Sequence, residues 1–302
     1  MNVLVSVIII SYNTKKLTAD AINAVLAQKG VENVEIILVD NNSTDGTVAY
    51  LKEKFKSKII MIAQSTNHGF AQANNVGISK ASGKYLLLLN SDTLMLPGAL
   101  LRFLDVANAN PDFGILSPRL LNPDHTYQPQ GGQLPTLLNI AAWWLWPLPG
   151  LFPGILPYQN LQDPANGTQP IMKTGWVAGT AMLLQRAVVE KIGNLDEHIF
   201  MYAEDVDYCV RANRAGFRVG IVWDAEVLHY GSASGSSHHS KVGEIKGLRY
   251  VLSKTHSTLH LLLVDLIFVI GALLRYLLFG ILKGDTSSRK LYRDIISAVI
   301  SR

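Results

Sequence analysis

Residues 3–10, VLVSVIII, form a nearly continuous β-branched run, the pattern of a central strand covered on both faces. Behind it Leu17, Ala21, Ile22, Val25 and Leu26 recur at helical spacing, and Gly30 closes the segment. The alternation then repeats. Strands are predicted over 34–40, 58–63 and 85–90, with helices over 43–55, 70–81 and 97–110, the last with Pro97 near its start. A β-α-β-α order of this kind predicts an α/β fold with a doubly wound, mostly parallel sheet.

From 118 to 172 the periodicity breaks. WWLWPLPGLFPGILP (143–157) reads as an aromatic excursion over a site, or as Trp filling a core. Regularity returns with a strand over 176–186 containing Gly179, a helix starting near Glu204 and a strand in RVGIVWDAEV (218–227). The segment from Leu259 to Leu282 is long enough to cross a bilayer, but Asp265 and Arg275 interrupt it. Each central charge costs about 2.5–3.5 kcal/mol against roughly 0.3–0.6 gained per large aliphatic residue, so insertion is close to balance. Helices lying in the interface fit better, with Arg249, Lys254, Arg275, Lys283, Arg289, Lys290 and Arg293 near anionic headgroups.

The 302-residue length suits one large α/β domain, or one with an appendage. A net charge of +4 is compatible with anionic substrates or a membrane surface. The basic residues form no stripe with aromatics, so no nucleic-acid partner is expected. The single cysteine, Cys209, excludes a disulfide framework and reads as a small core residue. The N-terminus has no basic leader and reads as a buried strand, so the body is expected in the cytoplasm.

Ligands in open α/β sheets bind beyond the carboxyl ends of the strands. Three predicted strands end there in polar clusters: SYN (11–13), DNNS (40–43) and NSD (90–92). Asn, Ser and Asp also form turns and caps, but three clusters at equivalent ends favour a site. Asp40 can accept a hydrogen bond from a pyrimidine ring N–H. Asn42 and Ser43 then open a helix whose N-terminus favours negative charge. Asp92 is a hard oxygen ligand suited to Mg²⁺ or Mn²⁺ beside phosphates, whereas neutral Asn90 suits a sugar hydroxyl. His229, before a Gly/Ser-rich loop, suits Mn²⁺ better than Mg²⁺. In FMYAEDVDYCVRANRAGF (200–217), Asp207 and Arg211 are four apart and can pair. Glu204 and Asp205 are left at the helix start, either as capping carboxylates or as a pair in which one has a raised pKa and acts as a general base.

VSVIIISYN, VDNNSTDGT, NHGFAQANNVGI, YLLLLNSD, GTAMLLQR, the EDVDYC segment and VLHYGSAS, in this order over about residues 3–235, resemble the family 2 inverting glycosyltransferases of GT-A fold. The likeness is to the rhamnosyltransferase-like branch of bacterial cell-surface polysaccharide synthesis. The resemblance implies a GT-A nucleotide-diphospho-sugar transferase fold over 1–240, with a nucleotide-binding half (1–117) and an acceptor half (118–240), and a membrane-associating helical tail over 241–302. It implies that Asp40 reads the base of a dTDP- or UDP-sugar with Tyr12, Asn13, Asn42, Asn67 and Asn90 lining the donor site. Asp92 and His229 would hold Mn²⁺ or Mg²⁺. Asp205 would be the general base, supported by Glu204. The absence of a QxxRW motif and of a multi-span channel points to transfer of one sugar at a time.

The expected function is thus transfer of a single sugar, rhamnose first, to a saccharide or lipid-linked saccharide at the cytoplasmic face of the inner membrane, with the protein held peripherally or by one tail anchor. The rival readings are a nucleotidyltransferase, against which the absence of a glycine loop after the first strand counts, and a non-catalytic membrane-associated nucleotide-sugar-binding protein.

Overall fold

A computed structural model describes residues 3–145, 155–159, 163, 169–231 and 237–301. Residues 146–154, most of the Trp/Pro excursion, lie outside the described residues, as does much of the Gly/Ser loop after His229. The chain divides into two compact units, one of residues 1–130 with 161–234, the other of 131–160 with 235–302.

In the first unit β1 (Val5–Ser11), α1 (Lys15–Leu26), β2 (Val34–Asp40), α2 (Thr47–Phe55), β3 (Ile60–Ala63), α3 (Gly69–Lys80) and β4 (Tyr85–Asn90) follow the predicted alternation. β5 (Thr93–Met95), α4 (Ala99–Ala109) and β6 (Phe113–Leu121) come next. After β7 (Gly131–Gly132) and α5 (Leu137–Trp144), which belong to the second unit, the first resumes with β8 (Ile171–Thr174), β9 (Trp176–Val177), β10 (Ala181–Gln185), α6 (Arg186–Ile192), α7 (Glu204–Arg214) and β11 (Arg218–His229).

Among the described residues nine strands form one sheet in the order β3-β2-β1-β4-β10-β6-β11-β5, with β8 on β11. β3, β2, β1 and β4 are parallel, as expected. The other half is mixed: β10 runs antiparallel to both β4 and β6, and β11 is parallel to β6 but antiparallel to β5. The apolar runs of β1, β2 and β4 are buried almost throughout because helices cover both faces. α3 approaches β1 closely at Gly77, where an added Cβ would lie 2.3 Å from Ile8 Cγ2.

Two local readings change. β6 crosses the stretch where the periodicity breaks; its Gly114 and Pro118 hide a strand that pairs along both edges. The strand expected over 176–186 is two strands, because residues 178–180 leave the ladder: Ala178 N–H donates to Gln130 O (2.7 Å) and Gly179 N–H turns to Asp205 Oδ2.

In the second unit α5, capped by Thr136, buries Trp144. α8 (Ser237–Ser253), α9 (Thr258–Arg275) with a π-helical continuation Tyr276–Leu282, and α10 (Thr286–Ile300) complete it. Thr258–Leu282 is long and apolar enough to cross a membrane, and most of it is not buried. The charges that weighed against insertion are satisfied locally. Arg249 pairs with Asp265 (Nη2–Oδ2 2.9 Å), and Arg275 lies over the Trp144 ring, 4.7 Å from its centroid, and donates to Trp144 O. Arg289 Nε likewise donates to Gly280 O at 2.6 Å. These three arginines are therefore engaged within the unit rather than free for headgroups.

Candidate active site

The parallel half sets the level of the site. Register pairs Ser11 with Asp40 and Ile10 with Asn90, so β1, β2 and β4 end together. Below that rim, buried hydroxyls join the strand ends: Ser11 Oγ meets Thr18 Oγ1 at 2.9 Å, and Thr14 Oγ1 meets Ser91 Oγ at 3.0 Å.

Asp40 is 1 % exposed. Its Oδ2 accepts from Ser43 N–H, three residues on, at 2.9 Å, which fixes the start of the loop into α2. Its Oδ1 is buried with no partner among the described residues. A buried acceptor left unmade costs about 1–3 kcal/mol, so this oxygen is suited to a donor from outside the chain. Asn13, with φ +54°, stitches the neighbouring loop: its N–H donates to Ser43 Oγ (2.9 Å), and its Oδ1 accepts from Thr44 N–H (2.8 Å). Tyr12 and Asn42 are exposed at the same rim. Asn67 is committed within its loop, with Oδ1 accepting from Asn41 Nδ2 (2.8 Å) and Gly69 N–H (3.0 Å). Gly69 has φ +82°, and an added Cβ would lie 2.3 Å from Phe200 O, so only glycine lets Phe70 N–H reach that carbonyl at 2.8 Å.

Asn90 N–H donates to Thr180 O (2.9 Å), tying β4 to the 178–180 break. Two residues on, Asp92 is buried at the start of β5. The antiparallel register of β11 on β5 sets His229 opposite Thr93, and Tyr230 N–H donates to Asp92 O at 3.0 Å. This brings His229 Nε2 to 3.4 Å from Asp92 Oδ1. Two ligands on adjacent positions of one octahedral cation, each bonded at about 2.1 Å, stand about 3 Å apart, so the pair fits a small divalent ion. Among the described residues no third His, Cys, Asp or Glu joins them. A two-ligand site suits an ion that takes its other ligands from water and phosphate.

α7 begins at Glu204, with Tyr202 and Ala203 at φ +73° and +74° turning the chain into it. Asp205 Oδ2 accepts from Gly179 N–H at 2.9 Å, and Oδ1 from Val206 N–H at 2.8 Å. Glu204 is buried, and its Oε2 has no partner among the described residues. Burial raises both carboxyls, and the Asp205 charge raises Glu204 further. Backbone amides bond to both carboxyls, and burial with the Asp205 charge pushes Glu204 up to about 8, so Glu204 holds its proton near neutral pH. Asp207 pairs with Arg211 (2.8 Å), which also donates to Ile192 O and Asn194 O (both 2.8 Å), so this ion pair anchors α7 as its spacing predicts. Cys209 is buried core, as read.

Asp205, Asn90, Asp92 and His229 are thus linked through neighbouring contacts, Asp205 to Gly179, Thr180 to Asn90 and Asp92 to His229, a set that does not include Asp40. Sequence reasoning missed Asn41, which is buried and bridges Asn67, His68 and Gly69. It sits inside the DNNS cluster, so that signal was present. It also missed the Gly179 amide, which no side-chain pattern announces.

A parallel half joined to a mixed half, with carboxylates at the strand ends, matches the GT-A architecture of glycosyltransferases. The chain belongs to the family Glycosyl transferase family 2, whose model matches residues 6–193. It is 29 % identical over 213 residues to an N-acetylglucosaminyl-diphospho-decaprenol L-rhamnosyltransferase of Mycobacterium tuberculosis, covering 65 % of this chain and 66 % of that one. It is 28 % identical over 231 residues to the O-antigen biosynthesis protein RfbC of Myxococcus xanthus, covering 76 % of this chain and 17 % of that protein. The chain therefore spans just under two thirds of the first relative and a small part of the second. In fold it is similar to a mannosyltransferase from Pyrobaculum calidifontis solved with GDP-Man and Mn²⁺, at a TM-score of 0.61 and 14 % identity, covering 98 % of this chain and 86 % of that one.

Proposed function

We propose that this enzyme moves one sugar, rhamnose first, from a dTDP- or UDP-sugar to a saccharide or lipid-linked saccharide, with inversion, in the building of cell-surface polysaccharide. The observation that carries the reading is the presence of two carboxylate sites in one unit: an Asp92–His229 pair at ligand spacing, and Asp205 braced by Gly179 N–H beside a buried Glu204. Similarity to a rhamnosyltransferase supports the choice of sugar.

In this mechanism Asp40 Oδ1 accepts the ring N–H of uracil or thymine. Tyr12, Asn13 and Asn42 flank the nucleotide at the rim, Asn67 shapes its wall through the 67–69 loop, and Asn90 faces sugar hydroxyls. Asp92 and His229 would hold Mn²⁺ or Mg²⁺, which would supply positive charge beside the diphosphate. Asp205 takes the proton of the acceptor hydroxyl as that oxygen bonds to the anomeric carbon. The bond from that carbon to the diphosphate oxygen breaks on the opposite side, which inverts the configuration. Glu204, protonated, avoids a second negative charge beside the base.

The exposed face of α9 and its continuation, with Leu263, Leu266, Ile270, Leu273, Leu277 and Ile281 in a stripe three to four residues apart, would lie on the cytoplasmic surface of the inner membrane. There it would meet a lipid-linked acceptor.

The test is donor hydrolysis with Mn²⁺ across dTDP-rhamnose, UDP-glucose, UDP-galactose and UDP-N-acetylglucosamine, with wild type and Asp205→Asn. Metal-dependent hydrolysis of one donor, with binding kept and turnover lost in the variant, is expected. Binding of a donor with equal turnover in both proteins would overturn the role of Asp205. Folded protein that binds none of them would overturn the choice of donor.

A further inference from the structure

The turn after β6, Asn122-Pro123-Asp124-His125-Thr126-Tyr127-Gln128, carries no family motif, yet its last residue touches the Asp92–His229 pair. The backbone folds back on β6: Asn122 N–H donates to Thr126 O (2.8 Å), and Gln128 N–H to Leu120 O (2.9 Å). This places the Gln128 amide against the His229 ring, with Oε1 2.6 Å from Nδ1.

The direction of that hydrogen bond follows from groups that can only accept. Thr126 Oγ1 donates to the Asp124 carboxylate at 2.6 Å, and hydrogen bonds from Thr126 hold that carboxyl below its ordinary range, so it stays an acceptor. With its proton spent, Thr126 Oγ1 accepts from Asn122 Nδ2 (3.0 Å), whose other neighbour is the Tyr127 carbonyl at 3.5 Å. The Asn122 NH₂ therefore faces the turn, and its Oδ1 faces Gln128. Gln128 must donate Nε2 to Asn122 Oδ1 (3.0 Å), which turns Oε1 to His229. An amide oxygen cannot donate, so His229 carries its proton on Nδ1. In the neutral ring, Nε2 is left with a lone pair, 3.4 Å from Asp92 Oδ1.

We infer that Gln128 is a positioning residue for the metal site: through the Asp124–Thr126–Asn122–Gln128 relay it holds His229 in the one tautomer whose Nε2 can share a divalent cation with Asp92. The inference rests on the metal-dependent reading above. A ligating histidine whose second nitrogen donates to a fixed acceptor keeps both ring orientation and basicity, and loss of such a partner costs roughly 10–100-fold in metal affinity.

Two measurements on the full chain test it. The first is ¹⁵N-histidine NMR of the metal-free wild type, with the His229 signals assigned by their loss in His229→Ala. A proton on Nδ1 is expected; a neutral ring with its proton on Nε2 would overturn the inference without any variant being needed. The second is a Mn²⁺ titration followed by electron paramagnetic resonance, alone and with UDP or dTDP, on protein with a wild-type melting curve. Gln128→Leu should bind Mn²⁺ roughly 10–100-fold more weakly, while Gln128→Glu, which keeps an acceptor facing Nδ1, should bind near the wild-type level. Wild-type affinity in Gln128→Leu, with affinity lost in Asp92→Asn, would overturn the role of Gln128 and leave the metal site standing. Unchanged affinity in Asp92→Asn as well would overturn the metal site itself, and the inference with it.

Discussion

Gly179 N–H donates to Asp205 Oδ2 at 2.9 Å, across a break between two strands. The backbone amide holds the carboxylate in one orientation without neutralising it, which is what a general base requires. Asp205→Asn keeps an oxygen for that amide but cannot take a proton. Turnover should fall about 10²–10⁴-fold, the usual worth of a positioned acid or base, while donor affinity and melting temperature stay near wild type. Steady-state kinetics beside donor titration measure both.

Glu204 should make stability depend on pH. Burial and the Asp205 charge raise it from 4.5 to about 8. A folded-state value above the unfolded one means that the folded chain binds the proton more tightly. Its stabilising contribution is full below the unfolded value and is lost as pH rises through the folded one. The melting temperature of wild type should therefore decline from about pH 4.5 to about pH 8, and Glu204→Gln should decline less over that window. Parallel curves for the two proteins would contradict this.

The unpartnered Oδ1 of Asp40 predicts a split between binding and stability. Asp40→Asn can still accept from Ser43 N–H, but it then turns an NH₂ toward the incoming base. UDP or dTDP affinity should drop by about 1–3 kcal/mol, roughly five- to 150-fold, by calorimetric titration. The melting temperature should not fall, because the variant removes a buried charge that has an unmet acceptor.

The apolar stripe on the 258–282 helix predicts membrane binding that one residue can weaken. Leu266 is 54 % exposed and Ile270 41 % exposed, so a polar side chain at either position should leave the fold intact. Leu266→Glu and Ile270→Glu should reduce co-sedimentation with anionic phospholipid vesicles without lowering the melting temperature. Equal sedimentation of variants and wild type would remove the stripe from the membrane reading.

The parallel half of the sheet was legible in the chain because each strand there is a closed apolar run ended by turn residues. The SYN, DNNS and NSD clusters were legible for the same reason, since strand ends in such sheets are where ligands bind. β6 was not, because Gly114 and Pro118 break the local pattern while pairing with β10 and β11 restores the strand. The Trp pair was open to two readings, and burial of Trp144 under α9 decides for core at that residue.

The sequence by itself determined what local chemistry can determine: the alternation of strands and helices, a carboxylate pair at the first turn of α7, the Asp207–Arg211 pairing and an apolar tail. Each depends on residues close in the chain, whose spacing already implies their geometry. Only the tertiary structure brought His229 to Asp92, Gly179 to Asp205 and Gln128 to His229. Those contacts depend on β11 pairing with β5 in one register and on a turn folding back over β6. Register between distant strands is set by how whole faces pack, and no short stretch of sequence carries that information.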